Sequence, residues 1–412
     1  MRRLAKILIA GTSAATLTSA AATSQVLDSV IVSDQVQTGD VFSGQTLDVV
    51  EITEATTAVT TATGAAFDGS GEGVTLDVRA NQNLQADVTA DTRLDAAVSS
   101  GAVTSLTTAA TGVTSESNIY EGTLTGVYNQ QTGPGVIYGH SHIEAPNAEV
   151  GDVTASAQAL GVSQGFGVSY SVVGARVNQT NRADVVADGG GSYGYVEGAA
   201  TFAGTATGTN VTASGIGGSG QRYIIDQDNQ AGLVQASQFT AHGNAYLSTT
   251  SATASGNNIS TANEGGLLDV TSGQENQAYV RAQSEASAYQ FGSAASIAYG
   301  VGNSFMAGNF GSETLIDAVQ LNEGGGVEVI ADFTGAEGYD ASSTATAIGN
   351  AATGYACSDC QGRIVATSQQ VNNSDVSATS SVNVTGYARS ATGVANAVGN
   401  TASYYVSRPS GQ

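Results

Sequence analysis

From Ala278 to Tyr289 the chain alternates strictly. Ala278, Val280, Ala282, Ser284, Ala286 and Ala288 are small and mostly apolar, whereas Tyr279, Arg281, Gln283, Glu285, Ser287 and Tyr289 between them are polar or amphipathic. The same period of two returns in Val376, Ala378, Ser380, Val382, Val384 and Ala388, which alternate with Asp375, Ser377, Thr379, Ser381, Asn383 and Tyr387. That period belongs to an extended strand with one buried face, so the pattern predicts β-structure with small residues inside. Pro134, Pro146 and Pro409 are the only prolines, which leaves residues 147–408 without one. Pro cannot donate to a strand ladder, so this gap suits long, continuously paired strands, with Gly and Asn supplying the corners.

The alternating runs recur at a fixed distance behind an Asn-Gln pair. Taking the first residue of each pair as an anchor gives Asp34, Asn81, Asn129, Asn178, Asn229, Asn276, Asn322 and Asn372, at intervals of 47, 48, 49, 51, 47, 46 and 50 residues. Gln follows six anchors, at Gln35, Gln82, Gln130, Gln179, Gln230 and Gln277, and Glu323 and Asn373 follow the last two. A second mark, a short tetrad ending in Gly, falls 26 to 32 residues behind each anchor, at Gly64, Gly112, Gly161, Gly208, Gly256, Gly302, Gly349 and Gly399. Two marks in register define eight units of about 48 residues, beginning near 34, 81, 129, 178, 229, 276, 322 and 372. They fill residues 25–412 as a single repetitive β domain.

Such a repeat fits a β-solenoid (β-helix or β-roll) or an eight-bladed β-propeller. Composition separates the two. Aromatic residues make up only 6% of the chain, Trp is absent and Gly numbers 53, so few side chains are large enough to fill the space between propeller blades. The expected fold is therefore all-β and solenoidal, with the propeller as the alternative. In a solenoid, equivalent residues stack, and Asn81, Asn129, Asn178, Asn229, Asn276, Asn322 and Asn372 are expected as register marks, each amide donating to one neighbour and accepting from the other. The plainer alternative is that Asn only tolerates the turn.

Charge and the chain's start narrow the setting. Arg2, Arg3 and Lys6 precede an apolar run from Ile7 to Ala10 and a small-residue stretch, the pattern of a signal peptide over residues 1–24. Removing those three cations takes the net charge from −23 to −26. A field of that sign excludes nucleic acid and anionic membrane as natural partners and reads as solubility outside the cell.

Candidate chemistry is sparse. His140, His142 and Glu144 in "GHSHIE" share one strand face, but His242, the third histidine, lies two units away and no fourth ligand presents itself, so no metal is expected. Cys357 and Cys360 are expected to form a local structural disulfide, since a zinc site lacks its second half and a redox site its strand-helix context. Among the carboxylates no acid/base pair can be nominated, so neither a catalytic residue nor a cofactor is expected, although a polysaccharide-degrading β-helix stays as an alternative. Tyr289, Tyr387 and Tyr404 are candidates for glycan contact if they point outward.

With its signal peptide, its single lysine at Lys6 and its Asn/Gln-marked β-repeats from Asp34 onward, the chain resembles the holdfast attachment protein D family of stalked alphaproteobacteria. The resemblance implies a non-catalytic anchor at the outer surface that fixes an adhesive polysaccharide to the envelope. It also implies partnership with other anchor subunits and with a curli-type export lipoprotein of the outer membrane. Extracellular polysaccharide is a further expected partner, and an oligomer is expected because unpaired strand edges invite head-to-tail assembly unless capped, for which the tail containing Pro409 is a candidate. A surface-layer or autotransported adhesin is the other non-catalytic reading.

Overall fold

The computed structural model describes residues 28–357 and 362–406. The expected signal peptide, Cys360 and the tail with Pro409 lie outside the described residues.

Within them the alternation becomes strands that wind into stacked coils of three segments each. The first coil is β1 (Asp28–Gln37), β2 (Val41–Ile52) and β3 (Ala55–Glu72); the second is β4 (Thr75–Leu84), β5 (Val88–Ser100) and β6 (Val103–Tyr120); the third is β7 (Thr123–Thr132), β8 (Val136–Val150) and β9 (Asp152–Ser169). After β10 (Val172–Asn181) the strands run on through the corners. Thus β11 (Asp184–Asn229) carries the last two segments of coil 4 and the first of coil 5, followed by β12 (Leu233–Asn276), β13 (Tyr279–Asn309), β14 (Glu313–Asn322), β15 (Val327–Ala356), β16 (Arg363–Asn372), β17 (Val376–Val384) and β18 (Ser390–Val406).

Every pairing between these strands is parallel and joins a residue to its equivalent one coil on, as in Asp28 with Thr75, Val172 with Gly220 and Asp340 with Ser390. This is a β-solenoid, as the repeat predicted. The propeller alternative falls, because propeller blades are antiparallel sheets. Eight coils at ~4.8 Å per step give a stack about 34 Å tall.

Each third segment runs back opposite the first two, so the cross-section is a two-layer slab. Thr108 Oγ1 in β6 donates across it to Thr92 Oγ1 in β5 (2.7 Å), and Gln82 Nε2 in β4 donates to the Thr114 carbonyl in β6 (3.1 Å). Between the layers lie four apolar clusters, rich in Ala, Val, Leu and Ile and parted by rows of buried polar side chains, with Tyr128, Tyr193, Tyr223, Phe202, Phe305 and Phe333 as their largest members. The slab is thin because the inward residues are mostly small.

The tetrad glycines stack where the third segment bends. A Cβ on Gly256 would fall 2.5 Å from the Gly302 carbonyl oxygen and 2.3 Å from Asn276 Oδ1, so no side chain fits. The need is steric, from the close approach of the next coil and of the opposite layer.

Candidate functional site

The register marks lead into the interior. One unbroken column is made of glutamines: Gln35, Gln82, Gln130, Gln179, Gln227, Gln274, Gln320 and Gln370. From Gln82 onward, each amide nitrogen donates to the Oε1 one coil earlier at 2.7 to 3.1 Å. Each also donates across the slab to a backbone carbonyl of the third segment, from Ala66 in coil 1 to Thr401 in coil 8. Those carbonyls turn inward beside the glycine bend, and the glutamine supplies the partner that a buried acceptor needs.

The asparagines form two ladders, not one. Asn81, Asn129 and Asn178 stack with Asp34 on the outer face at 2.6 to 2.8 Å. Asn229, Asn276, Asn322 and Asn372 stack on Asn181 on the inner face at 2.7 to 2.9 Å. The structure therefore corrects the sequence register. Asn229 pairs with Asn181, Asp226 pairs with Asn178, and Gln227, not Gln230, continues the glutamine column. The physical reason is the period of two: adjacent Asn and Gln point to opposite faces, whereas Gln179 with Asn181, and Gln227 with Asn229, share the inner face. The sequence carried the signal, for the tetrad glycine trails the anchor by 30 to 32 residues in the first four units and by 26 or 27 in the last four.

A third amide ladder lies directly behind the glycines. Asn257 donates to Asn303, Asn303 to Asn350 and Asn350 to Asn400, at 2.7 to 2.8 Å, and each of the first three also donates to a carbonyl of the opposite layer, at Glu275, Leu321 and Val371.

The outer faces differ sharply in charge. On the first two segments, ion pairs link one coil to the next, including Arg93 with Glu144 (2.7 Å), Arg222 with Asp269 (2.7 Å) and Arg281 with Glu328 (3.1 Å). On the third segment, four outward columns that begin with Thr57, Val59, Thr61 and Thr63 and end with Thr392, Val394, Asn396 and Val398 contain no charged residue in any coil. One of them runs Thr57, Ser105, Thr154, Thr201, Thr249. The result is a flat face of hydroxyls and methyls in a strongly acidic protein.

His140 and His142 do lie together, their rings 6.0 Å apart and stacked, but His140 Nδ1 is taken by Asp91 (2.7 Å). Burial, with His140 and Arg93 nearby, lowers the His142 pKa. Among the described residues no group of three or more His, Cys, Asp or Glu is disposed to hold a metal ion. His242 lies buried between Tyr193 and Phe202, with neither ring nitrogen bonded. Glu285 and Asp332 align on successive coils, and burial first, then Glu285, raises the Asp332 pKa. The Cys357 amide donates to the Asn309 carbonyl (3.0 Å), and the expected pairing with Cys360 lies outside the described residues.

Of the candidate tyrosines, Tyr289 and Tyr387 are both 64% exposed, whereas Tyr404 turns inward and packs against the core. Tyr195, Tyr246 and Tyr339, which sequence reasoning passed over, join Tyr387 around a groove at the corner between the second and third segments. Only the fold brings them together.

No curated protein and no solved structure matches the chain. A family model described as holdfast attachment protein D matches residues 50–326, from the second strand of coil 1 to the first corner of coil 7. That is more than half of the chain, and it settles the family: the chain belongs to the holdfast attachment protein D family, which carries a role in holdfast attachment and a place at the cell surface.

Proposed function

We propose that this chain is a secreted, non-catalytic anchor that holds an adhesive polysaccharide to the outer envelope from within an end-to-end assembly. The observation that carries the reading is the family match over a uniformly stacked solenoid. Such a stack joins its coils through many parallel backbone ladders, which suits a tether better than a catalyst.

End-to-end assembly is supported by the terminal coils. Among the described residues each of β1 to β3 and of β16 to β18 pairs on one side only, and the inward side chains of β1, β2, β16 and β17 are only partly buried. The glutamine ladder also has matching polarity at its two ends. Gln35 accepts from Gln82 and has an N–H to give, and Gln370 donates to Gln320 and has an Oε1 to receive. One copy stacked on another would extend the column without a break. The family resemblance adds other anchor subunits and a curli-type export lipoprotein as the partners at the surface.

The test is deletion of the coding region in the native host, followed by a surface-retention assay and lectin staining of the adhesive. Adhesive still made but shed into the medium is the expected result. Adhesive unchanged in place and amount would overturn the anchor reading.

A further inference from the structure

The corner groove spans coils 4 to 8 and encloses about 430 Å³. Its rim is tyrosine: Tyr195 is 44% exposed, Tyr246 66%, Tyr339 59% and Tyr387 64%. Exposed rings at this density are unexpected in a chain with 6% aromatics. Between them, Asn244, Gln290 and Glu337 align with Tyr195 on successive coils. The side-chain amides of Asn244 and Gln290 make no hydrogen bond with any described residue.

Two of the rings have shaped surroundings. Gly292 lies on the coil between Tyr246 and Tyr339, and a Cβ there would come 2.4 Å from the Tyr246 carbonyl oxygen and 3.2 Å from its ring. Arg389 sits 5.8 Å from the Tyr339 ring centroid while paired to Asp340. The groove thus combines aromatic faces with amides that have no protein partner among the described residues.

We propose that this groove binds an extended, uncharged glycan chain, with successive sugars meeting successive coils; the proposal rests on the anchor reading and names the contact through which the polysaccharide is held. A sugar ring offers a C–H face that packs on an aromatic ring and a hydroxyl edge that exchanges hydrogen bonds with amides and the tyrosine hydroxyl. The coil step of ~4.8 Å is close to the length of one pyranose in an extended chain, so the spacing of partners is set by the fold. Charge selects within the class. Glu337 is the only carboxylate lining the groove, the nearby Asp340 is neutralised by Arg389, four columns of the third-segment face beyond carry no charge, and the protein's net charge of −23 repels anionic polymers.

The test uses neutral hexaoses of β-1,4-glucan, β-1,3-glucan and β-1,4-mannan, with an anionic oligogalacturonate of the same length, titrated into the purified protein. Calorimetry and tyrosine emission, which is free of tryptophan in this chain, read the binding. At least one neutral hexaose should saturate and the anionic one should not. The double variant Tyr246→Ala with Tyr339→Ala should bind about tenfold or more weakly, and Gln290→Ala, which removes an exposed side chain without packing, about threefold. No binding by any neutral hexaose, or binding unchanged in the double variant and in Gln290→Ala, overturns the proposal. So does a dimer seen by sedimentation that the double variant dissolves while no glycan binds, which would assign the groove to a second copy. In the host, a surface-displayed double variant that retains adhesive, where deletion sheds it, would overturn the groove and leave the anchor role standing.

Discussion

Two columns run the height of the solenoid and change character on the way. Behind the glycine bend the residues are Ala65, Val113 and Val162 in coils 1 to 3, then Thr209, then Asn257, Asn303, Asn350 and Asn400. In the opposite layer Gln37 in coil 1 is followed by Leu84, then by Thr132 and then by the asparagines from Asn181 to Asn372. The same corner of the same fold is thus largely apolar in the early coils and an amide ladder in the late ones. At each junction a threonine hydroxyl donates into the first asparagine, Thr132 to Asn181 and Thr209 to Asn257, both at 2.7 Å, so neither ladder starts on an unmet acceptor. Apolar packing tolerates a neighbour of similar volume, whereas an amide column requires its like at each step. At this corner the early coils are therefore held mainly by burial and the late coils by register, while the glutamine column runs through both.

The largest effect expected is from breaking an amide ladder in its middle. Asn303→Ala removes the partner of Asn257, leaves Asn350 Oδ1 without its donor and strips the Leu321 carbonyl of its hydrogen bond. With the site fully buried, these orphaned groups should cost ~4 kcal/mol. Val113→Ala, in the same column, removes two methyls and should cost ~2 kcal/mol. Urea unfolding of the two variants checks the ratio, and equal losses would erase the distinction between the halves.

Much of this was legible in the chain. Strand period, unit length and the solenoid follow from alternation and from the paired marks, because both are backbone periodicities. What the pattern hid was which face each amide takes. A Gln-x-Asn motif, as in Gln179-Thr180-Asn181 and Gln274-Glu275-Asn276, marks the inner face in coils 4 to 8, but an adjacent Asn-Gln pair catches the eye first. Of the tyrosine groove only Tyr387 was picked out from the sequence, since Tyr195, Tyr246, Tyr339 and Tyr387 meet only once the coils stack.

A polar group without a ladder sharpens the contrast. His242 lies in the late coils with both nitrogens unbonded, and burial pushes its pKa down to about 4 from the ordinary 6.5. Below pH 6.5 the unfolded chain takes up a proton that the folded chain refuses until about pH 4, so this residue makes stability fall with pH across that window and leaves it flat above. The total is ~3 kcal/mol, and most of it should vanish in His242→Leu when unfolding at pH 7.5 and pH 4.5 is compared. An identical pH response in that variant would mean the ring is not refused its proton.

The glycine bend tests the packing around the ladder. Gly256→Ala drives a methyl against Asn276 and the Gly302 carbonyl and should cost ~2 kcal/mol, whereas Gly174→Ala, with nothing within 4 Å of its Cβ, should be neutral or slightly stabilising; thermal unfolding of the pair reads the difference.

The smallest effect separates burial from hydrogen bonding itself. Asn129 makes the same amide-to-amide contacts as Asn303, donating to Asn81 at 2.8 Å and accepting from Asn178 at 2.7 Å, but on the outer face. Water can replace every bond it loses there, so Asn129→Ala should cost only ~0.5 kcal/mol in urea unfolding, against ~4 for the buried equivalent. The amide-to-amide geometry is the same, so a difference of that size would come from solvent access together with the bond to the Leu321 carbonyl that Asn303 alone makes. Should Asn129→Ala instead cost as much as Asn303→Ala, cooperativity along the column would outweigh solvent access, and the outer ladder would hold register as firmly as the inner ones.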